Sequence, residues 1–69
     1  MNYMGEVVHY LDCQDLDVTV IDLLWLSGKH PDPRVAQTAL GMAILMMNGV
    51  DAPRMRHMAF GQADGEVQA

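Results

Sequence analysis

A chain of 69 residues with four basic and nine acidic side chains, 51% of it hydrophobic, has room for one small domain. Below roughly 70–80 residues a single core seldom supplies more than about 3–5 kcal/mol, which argues against an elaborate enzyme pocket. One cysteine forms no internal disulfide, leaving self-association or a metal as the staple, and a formal charge of −5 opposes the phosphate attraction behind direct DNA or RNA binding.

The N-terminal segment places Tyr3, Met4, Val7, Val8, Tyr10 and Leu11 at helical spacings, with Asn2 as a cap and Asp12-Cys13-Gln14-Asp15 as the break. No basic residue precedes Lys29, so the basic start of a secretory signal is missing. Together with a lone Cys13, which suits a reducing compartment, this leads us to expect a cytoplasmic protein. Cys13 itself reads as a small buried hydrophobe.

The next segment, Leu16 to Ser27, alternates at first (Leu16, Val18 and Val20 against Asp17 and Thr19), as a strand would. Asp22-Leu23-Leu24-Trp25-Leu26 breaks that alternation, and length then favours a helix capped by Asp15 or Asp17 and ended by Gly28. Its apolar residues point almost all round, as in a helix that is covered on every side. One neighbouring helix of so short a chain cannot cover it; a second subunit can.

Asp32-Pro33 is a capping acceptor followed by proline at the first helical position, and Asn48-Gly49 tolerates the left-handed backbone that ends a helix. A helix is therefore expected from Pro33 to Asn48. Val35, Ala36, Ala39, Leu40, Met42, Ala43, Met46 and Met47 share an arc of roughly 160°, within which Ala36, Ala39 and Ala43 permit close helix approach. Asp51 before Ala52-Pro53 repeats the capping signature, and Gly61 is expected to close a fourth short helix carrying Met55, Met58 and Ala59 on one side. The remainder, 62–69, is small, polar and acidic, the composition of a disordered tail on a single helical domain spanning 1–61. The two most apolar stretches, Val18 to Leu26 and Ala39 to Met47, are nine residues each, whereas a membrane span takes about 20. No membrane association is expected.

Charge is segregated. Residues 1–28 hold Glu6, Asp12, Asp15, Asp17 and Asp22 with no Lys or Arg, while 29–57 hold Lys29, Arg34, Arg54 and Arg56 against Asp32 and Asp51. The acidic half can face the basic one, meet a basic partner, or simply keep an apolar protein solvated. His9, Asp12 and Cys13 have the i, i+3, i+4 spacing of metal ligands, yet structural zinc needs a fourth ligand and no second Cys or paired-His motif provides it. No catalytic residue, metal or cofactor is assigned, since no orienting group accompanies Cys13 and no phosphate loop is present. A helix-turn-helix over Asp22 to Leu40 is set aside because its second helix offers only Arg34, Gln37, Thr38 and Asn48 as polar reading groups.

Seven methionines supply adaptable packing, in a core or at a docking surface. These observations predict an all-α fold of three to four short helices. Its two central helices form an antiparallel hairpin and homodimerisation completes it, with Val20, Leu24, Trp25, Ala36, Ala39, Leu40, Ala43 and Met47 in the core or the seam. Truncation of Leu24 or Leu40 to alanine would then cost about 2–5 kcal/mol. The function expected is that of a non-enzymatic acidic protein-binding module that modulates or inhibits a partner. Glu6, Asp12, Asp15, Asp17, Met55 and Met58 meet the partner's basic surface, in the manner of a bacterial or phage accessory inhibitor occupying a nucleic-acid-binding-type groove. The alternative is a structural or regulatory oligomerisation subunit of a larger assembly.

Overall fold

A computed structural model describes the backbone of residues 2–68 and the side chains as far as Gly61. Four helices follow one another: α1 (Tyr3–Cys13), α2 (Val20–Lys29), α3 (Pro33–Met47) and α4 (Ala52–Gln68). There is no strand among the described residues, so the all-α expectation holds.

Local chemistry explains most boundaries. Asn2 caps α1, its side-chain oxygen accepting from the Gly5 amide at 2.9 Å. At the other end Asp15 takes a left-handed φ of 61°, and the amides of Asp15 and Leu16 donate to the carbonyls of Asp12 and Leu11. That pair of bonds is a Schellman closure. The same closure ends α3: Gly49 has φ 106°, and Gly49 and Val50 donate to Met46 and Leu45. Asp32 and Asp51 cap α3 and α4, accepting from the amides of Arg34 and Arg54, each at 2.9 Å.

Three boundaries differ from expectation. α2 begins at Val20 rather than Leu16, because Thr19 and not Asp15 or Asp17 is its cap. The Thr19 hydroxyl accepts from the Asp22 amide at 3.1 Å and donates to the Asp22 carboxylate at 2.9 Å. Residues 16–19 become an irregular connection, turned at Val18 with the Thr19 amide donating to the Asp17 carbonyl, that drops Val18 into the core. Gly28 does not end α2, which continues through Lys29. Gly61 likewise lies inside α4, whose backbone runs over the expected tail as far as Gln68; the side chains of 62–69 are outside the described residues.

α3 packs against all three other helices and most extensively against α2. The core joins Val7, Val8 and Leu11 of α1, Leu23 and Leu26 of α2, Val35, Ala39, Met42 and Ala43 of α3, and Met55 and Ala59 of α4. The small Ala39 and Ala43 side chains are fully buried, as close approach at a helix contact requires. Among the described residues, no helix is long and apolar enough to cross a membrane.

Candidate interaction surfaces

Half of what the sequence marks for burial remains open to water. Leu23 and Leu26 of α2 are fully buried, but Ile21, Leu24 and Trp25 on its other side are 78%, 44% and 40% exposed. On α3 the broad apolar arc is split: Val35, Ala39, Met42 and Ala43 are buried, while Leu40, Ile44 and Met47 are exposed. Leu24 and Leu40 therefore do not belong to the chain's own core, which leaves the seam as the remaining half of the core-or-seam role expected of them. Val20 and Ala36 are half-buried.

Five of the exposed apolar residues fall on two surfaces of different electrostatic character. Leu40, Ile44 and Met47 follow i, i+4, i+7 spacing and so make one stripe along α3, a helix whose only charged residue is Arg34. The second surface is an open groove of about 360 Å³ lined by Gln14, Leu16, Ile21, Asp22 and Trp25, where the connection leaving α1 passes α2. Asp15 and Asp17 flank Leu16 in that connection and are exposed.

The carboxylates of the acidic half have different fates. Arg56 grips Asp12 with both terminal nitrogens, at 2.7 and 3.3 Å, so one acidic residue of the first half does face the basic second half. This hydrogen-bonded guanidinium holds the Asp12 carboxyl below its ordinary value. Arg56 is raised in turn, chiefly by that same bond, with Asp17 adding to the field. Arg34 pairs with Asp32 at 3.7 Å. Asp15, Asp17 and Asp22 form no salt bridge among the described residues, and Glu6 is exposed on α1.

Several residues sit elsewhere than their sequence roles imply. Met55 is fully buried, which removes it from any docking patch, because α4 turns its Met55–Ala59 side to the core and leaves Met58 outside. Cys13 is exposed rather than buried, with its sulfur 3.5 Å from His9 Nε2. Asp12 of the same cluster turns instead to Arg56. His30, to which the sequence assigns no role, is half-buried and meets the Tyr10 ring edge-on at 5.0 Å. Among the described residues no group of three or more His, Cys, Asp and Glu is placed to hold a metal ion.

Ile21, Ile44 and Leu45 are exposed apolar residues that the sequence did not single out. The signal for Ile21 was its spacing with Leu24 and Trp25, which makes a second apolar stripe on α2. Asn2 was read only as a cap; its amide nitrogen also donates to the Ala59 carbonyl, tying α1 to α4. Compared with known protein families, curated proteins and solved structures, the chain matches none.

Proposed function

We propose that this chain is a non-enzymatic, acidic protein-binding module that acts by occupying, and so modulating or inhibiting, a partner with a basic surface. The observation that carries this reading is the apolar outer side of α2 at Ile21 and Trp25, exposed beside carboxylates that form no salt bridge among the described residues. Large apolar side chains clustered at a surface cost solvation free energy, and aromatic anchors beside charge are the composition of binding sites. A groove that normally receives nucleic acid is the kind of basic surface such a module suits. Its action there needs no catalytic residue and no cofactor, and its setting is cytoplasmic.

Homodimerisation belongs to the same proposal, and the charge pattern favours the α3 surface for it. The α3 stripe of Leu40, Ile44 and Met47 has no carboxylate on its own helix, so two copies can approach there without like-charge repulsion. Leu24 extends the apolar surface on α2. Two copies meeting across Ile21 and Trp25 would instead bring Asp15, Asp17 and Asp22 against their counterparts.

The module reading is tested by cross-linking the chain to its neighbours in a cell extract and identifying them by mass spectrometry. The expected result is a protein retained at low salt and released as salt rises. Retention should be lost in the Asp15→Asn/Asp17→Asn variant with the fold unchanged. Recovery of nothing but the chain itself overturns the reading and favours the oligomerisation subunit. Sedimentation tests the dimer: a folded monomer at micromolar concentration overturns it, and Ile44→Glu is expected to convert dimer to monomer.

A further inference from the structure

We infer that the groove between the α1–α2 connection and α2 is the docking site for a basic amphipathic segment of another protein, which seats one large apolar side chain on Ile21 and Trp25. This rests on the reading of the chain as a protein-binding module and specifies its occupant. The groove's apolar wall is Leu16, Ile21 and Trp25, and its polar wall is Gln14 and Asp22. Ile21 is the most exposed large hydrophobe described.

Charge complementarity identifies the occupant. The groove lies wholly within the first 28 residues, which hold no Lys or Arg. Asp22 lines it and Asp15 and Asp17 stand on the connection beside it. None of the three is in a salt bridge among the described residues. Asp22 is committed at one oxygen to the Thr19 hydroxyl, and Asp17 contributes to the field at Arg56; Asp15 contributes to neither. A segment with Lys or Arg one helical turn from a Leu, Phe or Met covers the apolar wall and neutralises the carboxylates in one binding event. A second copy of this chain presents the same carboxylates and is repelled. Helix-in-groove recognition places such anchors at i, i+3 or i+4.

Trp25 is the only tryptophan and stands in the groove, so it reports occupancy. The probe is a synthetic helical peptide of Leu and Lys at amphipathic spacing, titrated into the intact chain at low and moderate salt. Expected are a blue shift of tryptophan emission, amide shifts confined to 14–25 in a nitrogen-15 spectrum, and affinity that falls several-fold as salt rises. Ile21→Ser is expected to weaken binding about tenfold or more and Asp15→Asn/Asp17→Asn several-fold, both with unchanged far-ultraviolet dichroism. Equal binding of a peptide with Gln in place of Leu overturns the apolar anchor. Equal binding of a Leu/Glu peptide overturns the charge argument. Peptide-free emission that shifts with protein concentration, and ceases to do so in Ile21→Ser, assigns the groove to a second copy and overturns the proposal. Failure of the peptide while the cross-linked partner is still retained overturns the groove alone; failure of both overturns the module reading with it.

Discussion

Arg56 Nη2 lies 2.7 Å from Asp12 Oδ1 and Nη1 lies 3.3 Å from Asp12 Oδ2, a two-pronged grip that ties α1 to α4. Both side chains are half exposed, and for such a pair solvent screening and lost side-chain freedom leave a net contribution below about 1 kcal/mol. The folded Asp12 carboxyl titrates below its ordinary 3.8. Its contribution is therefore complete above the unfolded value and disappears as pH falls through the folded one. Denaturant unfolding of wild type and Arg56→Met is expected to differ by less than about 1 kcal/mol at neutral pH and to converge in acid. A difference that grows on acidification contradicts the assignment.

Asp15 occupies a left-handed position at φ 61°, in the closure where α3 has Gly49. A side chain with a Cβ is strained there, although Asp tolerates it better than most residues. Asp15→Gly is expected to raise stability by about 0.5–1 kcal/mol, measured by urea unfolding. A loss shows that the Asp15 side chain contributes more to the connection than its backbone strain costs.

Glycine replacements should divide by environment. A Cβ at Gly5 meets Asn2 Nδ2 at 2.9 Å, Asn2 Cγ at 3.2 Å and the Phe60 ring at 3.3 Å. The Asn2 amide is held by its bonds to Gly5 and Ala59 and cannot simply swing away. Gly5→Ala is expected to destabilise by about 1–2 kcal/mol despite the better helix propensity of alanine. Gly28 and Gly41, inside helices with nothing within 4 Å of an added Cβ, should gain about 0.5–1 kcal/mol on the same change. Thermal melts of the three variants check the opposite signs.

Leu23 and Leu24 are neighbours on α2 with opposite surroundings, one fully buried and the other nearly half exposed. Leu23→Ala or Leu26→Ala is expected to cost about 2–5 kcal/mol at any protein concentration. Leu24→Ala and Leu40→Ala are expected to cost less than about 1 kcal/mol in dilute solution, and more as concentration drives the proposed dimer. Unfolding curves at two concentrations separate the two classes. A concentration-independent cost of core size at Leu24 or Leu40 contradicts the placement of these residues outside the chain's own core.

Legibility in the sequence followed the range of the interactions involved. The bounds of α3, the cap of α1 and the break after it were readable because Asp32-Pro33, Asn48-Gly49 and Asn2 act on backbone groups within a few residues. The start of α2 was misread because three acceptors, Asp15, Asp17 and Thr19, compete within five positions. Thr19 prevails because it exchanges hydrogen bonds with Asp22 while Asp15 closes the preceding helix. Met55 and Met58 look alike in sequence, and Cys13 looks like core; only the docking of α4 and the end of α1 place one methionine inside and leave the cysteine outside.

The 69-residue length and 51% hydrophobic content, read with the periodicity and capping residues, by themselves determined a small all-helical chain of three to four helices and the excess of apolar surface on α2 and α3. These follow from periodicity and capping, which are local. Which apolar residues are covered was decided by tertiary structure alone. A helix can turn only one side to its neighbours, and α3, already packed against three helices, leaves Leu40, Ile44 and Met47 outside while α2 leaves Ile21 and Trp25. The meeting of Asp12 with Arg56 and of Asn2 with Ala59 was likewise set by packing, because residues 44 and 57 positions apart are brought together only when α1 docks on α4.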